Sequence, residues 1–268
     1  MESEQKTFSP LSPKRWVIDV LIVDDNPINQ VFFSTAIKKG GYTAITVNNG
    51  KAAIQQATYT RFRLVLMDIR MPGMDGYQTV RHLRNIAGPN QSTPVVATSA
   101  ESLQEADAHL FDDFLIKPVS KKQLLNMVAR HVQSKPHEEP STPTSATAAV
   151  SPPAMVIDPQ RSLAAAGQDP HIARRLQAML RDELPGQLQQ LRDLHEAKDT
   201  LALRELVHRM TGSASFCGAT ALCQCLRNYG AILKDSLSSS QDCHKALQNV
   251  ENAVWAVLRH LEEDDRQN

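Results

Sequence analysis

A chain of 268 residues is long for one compact domain and comfortable for two. Hydrophobic residues make up 41%, enough to build cores, and Lys plus Arg balances Asp plus Glu at 29 each, without the basic patch or stripe that a nucleic-acid-binding domain normally carries. No apolar run approaches the roughly 18 residues of a membrane span, and the polar opening segment does not read as a secretory signal, so a cytoplasmic setting without direct membrane insertion is expected.

In chain order, residues 1–16 read as an N-terminal tail and 17–133 as a first domain. Within it, short apolar runs at 17–23, 43–47, 64–67, 94–98 and 114–116 alternate with helical stretches. Asn26-Pro27 supplies a cap and a proline at the first helical position, predicting a helix that runs to about Lys39 and stops at Gly40-Gly41. Asp75 and Ser120 are placed to cap two later helices. Five strands alternating with helices imply a parallel sheet covered on both faces, which binds ligands at the carboxyl ends of its strands.

Residues 134–154, rich in Pro, Ser, Thr and Ala, read as a linker. A flexible coil of this length spans roughly 25 Å, which predicts tethered domains that are free to reorient. Residues 155–264 show no strand pattern but four amphipathic stretches, implying a helical bundle, with 265–268 as a C-terminal tail. Pro185 should interrupt and kink the first stretch. All four cysteines lie between Cys217 and Cys243, and reduced core thiols suit them better than a disulfide scaffold. Cys223 and Cys225 would project about 200° apart on a helix, too far apart to grip one ion.

The first domain carries an acidic pattern. Asp24-Asp25 follows the first apolar strand and Asp68 follows the third. If these strands are neighbours, three carboxylates converge at one sheet edge, and such a cluster repels itself unless a cation sits in it; hard oxygen ligands suit Mg²⁺. Taken alone, Asp24-Asp25 before Asn-Pro is adequately explained as a turn and a helix cap.

The wider pattern resembles the receiver domain of two-component response regulators. The acid pair is followed by Asp68-Ile-Arg-Met-Pro-Gly-Met-Asp-Gly76, then by Thr98-Ser99 after the fourth strand and Lys117-Pro118 after the fifth. That resemblance implies a flavodoxin-like α/β fold with strand order 2-1-3-4-5. It makes Asp68 the phosphoacceptor, and Asp24, Asp25, Asp68 and the Arg70 backbone carbonyl the Mg²⁺ ligands. Ser99 becomes the hydroxyl switch residue, Lys117 the contact to the phosphoryl oxygens and Phe114 the aromatic switch. Only 17 residues separate Ser99 from Lys117, fewer than the family usually has, which predicts a fourth receiver helix about one turn short.

In the second domain, Leu203, Leu206, Val207 and Met210 form one helical stripe. His208 projects roughly 140° from it, toward solvent, with the small residues Gly212 and Ser215 one and two turns on. A glycine inside a helix costs about 1 kcal/mol relative to alanine, which makes sense if a bulky partner must approach. His171, His195, His244 and His260 read as ordinary exposed histidines. The segment 201–219 resembles the histidine phosphotransfer (HPt) domain at the C-terminus of hybrid sensor histidine kinases, an all-α four-helix bundle. The resemblance makes His208 a phosphoacceptor. Thr211 stands where the family usually has lysine or arginine, and Arg204, one turn before His208, is a candidate substitute.

These resemblances imply a phosphorelay intermediate that takes a phosphoryl group on Asp68 from a sensor histidine kinase and passes it through His208 to a downstream response regulator, or the reverse. No kinase core and no ATP-binding motif are visible in the sequence. The chain therefore reads as a phosphotransfer protein or the tail of a hybrid kinase. A rival of another class is a protein-interaction module in which phosphorylation is vestigial.

Overall fold

The computed structural model describes residues 17–99, 108–117, 119–132, 156–235 and 239–267. The tail 1–16, the linker 134–154 and residues 100–107, where the fourth receiver helix is expected, lie outside them; a single 3₁₀ turn, Ala108–Leu110, follows that segment. Among the described residues, no helix is long and apolar enough to cross a membrane.

The first domain runs β1 (Val17–Val23), α1 (Pro27–Lys39), β2 (Ala44–Val47), α2 (Gly50–Tyr59), β3 (Arg61–Asp68), α3 (Gly76–Asn85), β4 (Val95–Ser99), β5 (Asp113–Ile116) and α4 (Lys121–Val132). The strands form one parallel sheet in the order β2-β1-β3-β4-β5. Period-two alternation sends Leu21, Val23, Val65 and Met67 to the core beneath α2 and α3. Val20, Ile22, Leu64 and Leu66 go to the opposite core, beneath α1 and α4. The sheet register positions the acids: Val23 lies opposite Met67, so Asp24 and Asp68 leave adjacent strands side by side.

Local signals start the helices where the sequence places them. The Asn26 side chain accepts from the Ile28 and Asn29 amides at the head of α1. Asp75 and Gln78 form a reciprocal capping box on α3. Ser120 Oγ accepts from the Gln123 amide just before α4.

The second domain is α5 (Pro159–Ala165), α6 (Pro170–Glu196), α7 (Thr200–Phe216), α8 (Thr220–Ile232) and α9 (Ser240–Gln267). The four long helices form the expected bundle, and α5 is an extra short one capped by Asp158. Helix α6 continues through Pro185 as one element, correcting the expected interruption. Leu180, Leu184, Leu188 and Leu191 are buried on both sides of that proline, so packing holds the helix across the missing hydrogen bond. Helix α9 extends to Gln267, into the segment read as a tail.

The domains are not separate. The core beneath α1 continues into the bundle core without a break. Phe32 and Phe33 of α1 both meet Phe216 of α7, at ring-centroid distances of 4.6 and 5.9 Å. All three rings are buried. The expectation of freely reorienting domains is thereby corrected: tilted and edge-on aromatic contacts in a dry interface favour docking.

Candidate functional site

Four parallel strands deliver the acidic site. Asp24 and Asp25 leave β1, Asp68 closes β3, and Ser99 and Lys117 follow from the paired ends of β4 and β5. Gly76 lets α3 begin directly beneath Asp68: a Cβ there would fall 2.4 Å from the Asp68 carbonyl oxygen.

Carboxylate oxygens of Asp24, Asp25 and Asp68 lie within 4.8 Å of one another. The Lys117 ammonium bridges two of them, donating to Asp24 Oδ2 at 2.9 Å and Asp68 Oδ2 at 2.7 Å. Asn29 Nδ2 donates to both Asp24 oxygens at 3.0 Å, and the Arg70 amide donates to Asp68 Oδ1 at 3.3 Å. Burial pushes the Asp24 carboxyl up to about 6; Lys117 pulls it down and Asp68 adds to the rise. Burial, then the charges of Asp68 and Asp24, push Asp25 up to about 7. Burial works against the charge on Lys117, but the two carboxylates beside it prevail and its pKa rises. The ammonium thus bonds two of the three acids, and the three-carboxylate donor set fits a hard divalent cation.

His208 faces this edge. It is half-buried and lines a cavity of about 400 Å³ with Asp25, Arg70, Ser99 and Arg204. The expected outlook onto open solvent is corrected, because helix α1 and the acidic edge stand opposite α7. The small residue at 212 has the expected neighbour: a Cβ there would touch the Asn26 and Asn29 side chains at ordinary contact distances of 3.5–3.8 Å.

Two residues at this junction escaped the sequence reading. Asn26, legible only as a cap, also donates from Nδ2 to the Arg209 carbonyl at 3.0 Å and to Ser213 Oγ at 2.8 Å. Arg209 reaches across to Asp25, with 3.6 Å between guanidinium and carboxylate. Thr211 is buried, donating to the Val207 carbonyl at 2.6 Å. The Arg204 side chain borders the shared cavity.

Of the other expected residues, Phe114 sits on β5 with 43% of its surface exposed. His195 is not an ordinary exposed histidine: it is half-buried, and its ring nitrogen bonds the hydroxyl of buried Tyr229 at 2.8 Å. His171, His244 and His260 are exposed. Cys223 is buried and donates to the Thr211 carbonyl, while Cys225 is half-exposed. The acidic triad is the one cluster among the described residues with metal-ligand spacing, and it includes neither cysteine.

Comparison with known proteins agrees with this division. The family model described as response regulator receiver domain matches residues 20–129, and the Hpt domain model matches 175–264. Sensor protein GacS of Pseudomonas syringae pv. syringae is 30% identical over 241 residues, covering 88% of this chain and 26% of that protein. Signal transduction histidine-protein kinase BarA of Escherichia coli K12 is 26% identical over 229 residues, covering 82% and 25%. Two-component response regulator ORR41 of Oryza sativa subsp. japonica is 38% identical over 125 residues, covering 43% of this chain and 95% of that protein. The chain spans about a quarter of the length of the relatives it matches along both domains.

Proposed function

Because this chain belongs to the response regulator receiver family and carries an Hpt domain in the same polypeptide, we propose that it is a phosphorelay intermediate with Asp68 and His208 as its two phosphoacceptors. The observation that carries this reading is the shared cavity: His208 and the acidic edge of the sheet line one space.

Asp68 is the in-line nucleophile toward a phosphohistidine of a sensor kinase, forming an acyl phosphate. Phosphoryl transfer asks the protein mainly to position groups and offset charge. Lys117, already bonded to Asp68, supplies one fixed cation for the phosphoryl oxygens. Asp24, Asp25, Asp68 and the Arg70 carbonyl would hold Mg²⁺, which supplies further charge neutralisation when bound. Ser99, buried at the end of β4, is positioned to donate to the phosphoryl group, and Phe114 of β5 is the neighbouring switch residue.

In the second step, the neutral ring nitrogen of His208 attacks phosphorus. A nitrogen–phosphorus bond forms, the bond to the Asp68 oxygen breaks, and that carboxylate leaves with the electron pair. The ring keeps its proton on the other nitrogen. A downstream response regulator then takes the group from His208, and the reverse direction uses the same atoms. The domains would be the receiver at 17–133 and the HPt bundle at 155–264, joined by the segment 134–154.

The test is phosphate trapping with a partner kinase. Base-labile label on Asp68 and acid-labile label on His208 are expected, each abolished by Asp68→Asn or His208→Gln respectively. Label on neither residue would leave an interaction module as the surviving description.

A further inference from the structure

We propose that Asn26 and Arg209 set the register in which the receiver docks on the HPt bundle of its own chain, and so position Asp68 and His208 for transfer. This rests on the phosphorelay reading above and adds the residues that orient its second step.

The surface on α7 that carries His208 is occupied, and its occupant is the receiver of its own chain. Three independent features make this a fitted joint. First, the aromatic contact is dry: Phe32 and Phe33 are 1% exposed and Phe216 is fully buried. Second, the polar groups at the joint are matched. Asn26 uses its oxygen to cap α1 and its nitrogen to bond the Arg209 carbonyl and the Ser213 hydroxyl. One side chain therefore ties the start of α1, two residues beyond Asp24, to the turn of α7 that follows His208. Third, charge is matched at both ends of the contact. Arg209 faces Asp25 at the acidic edge, and Lys39 at the far end of α1 pairs with Asp169, the cap of α6.

Arg209 also answers the change at Thr211. Position 211 is buried and bonded to the backbone of its own helix, so it presents no charge to the cavity. Arg209 brings a guanidinium to the same edge from one residue after the histidine. It acts through Asp25 and the helix register rather than on the reacting atoms, which makes it a positioning residue.

A tethered partner acts at an effective concentration of the order of millimolar. In a micromolar solution, transfer within one chain should therefore outrun transfer between chains by about a hundredfold or more. The test uses the full chain and a small phosphodonor, acetyl phosphate. Label on His208 of the wild-type chain is expected to appear at a rate independent of chain concentration. A mixture of Asp68→Asn and His208→Gln chains should label histidine at least about a hundredfold more slowly at the same micromolar concentration. In Arg209→Ala the ratio of His208 label to Asp68 label should fall about tenfold or more, and Arg209→Lys should recover part of it, because a cation remains near Asp25. A mixture that labels His208 as fast as the wild type would overturn the same-chain assignment and leave the relay standing. A ratio unmoved by Arg209→Ala would remove Arg209 from the joint. A wild-type chain that labels Asp68 and never His208 would sink the relay reading, and this proposal with it.

Discussion

Replacing Asp25 by asparagine should make the metal-free protein more stable at pH 8. The cause is the position of this carboxylate: burial, followed by the charges of Asp68 and Asp24, raises its pKa from 3.8 to about 7. The folded state therefore keeps a proton that the unfolded chain releases near pH 4. Across the window from about 4 to 7, folding takes up a proton, so stability falls as pH rises. At about 1.4 kcal/mol per unit, the penalty reaches roughly 4 kcal/mol above pH 7 and stays under about 2 kcal/mol at pH 5. The side chain is only 11% exposed, so solvent screens little of this. Asparagine has nearly the same shape and no charge, and removes the penalty. Thermal unfolding in EDTA is the assay. With about 2–4 °C per kcal/mol for a chain of this size, Asp25→Asn should unfold some 8–16 °C higher at pH 8, and by less than half that margin at pH 5. If Asp25 is one of the Mg²⁺ ligands proposed above, saturating Mg²⁺ should narrow or reverse the order, since the wild type would then offer one more carboxylate and gain more from binding. An asparagine variant that melts below the wild type in EDTA at pH 8, or by the same increment at both pH values, would refute this account of the acidic edge.

Three further outcomes follow from the same geometry. Lys117→Ala leaves Asp24 and Asp68 buried without their shared cation and should cost about 3–5 kcal/mol in metal-free urea unfolding, part of it recovered by Mg²⁺. Phe216→Ala empties the contact between α1 and α7; a loss of about 3–5 kcal/mol is expected, with a larger radius of gyration by small-angle scattering if the domains part. Gly212→Ala should leave that radius unchanged, because a Cβ meets Asn26 and Asn29 at ordinary contact distances, whereas Gly212→Trp should increase it.

The receiver half was legible almost residue by residue, because its signals are local. The Asn26-Pro27 cap, the Gly40 stop, the Asp75 capping box and the alternating apolar strands each act within a few residues. The convergence of Asp24, Asp25 and Asp68 needed only the neighbouring of β1 and β3, which the register supplies. The joint between domains is long-range and was misread. The bond from Asn26 to Ser213 spans 187 residues of sequence, and its capping role was sufficient to explain an asparagine. Yet one signal was available. Phe32 and Phe33 are adjacent on a helix, so their side chains diverge by about 100° and cannot both face the sheet. A helix apolar over so wide an arc is covered on a second side. The Pro185 expectation failed for the opposite reason: a local rule lost to the packing of leucines on both sides of it.

The buried Thr211 leaves no room for a cation at its own position. Its hydroxyl turns back to the Val207 carbonyl, and its own carbonyl accepts from Cys223 of α8. That face of α7 is committed to the packing of α7 against α8. A lysine there would have to leave a buried position or break it. Arg209 lies two residues earlier, about 200° around the helix, on the side that α1 covers. Its carbonyl is held by Asn26 and its guanidinium faces Asp25, so one residue is fixed at both ends to the segment that carries two of the three acids. The position of the charge is then set by the docking of the domains rather than by the bundle alone. The cation at 209 has its acidic counterpart in the receiver of its own chain.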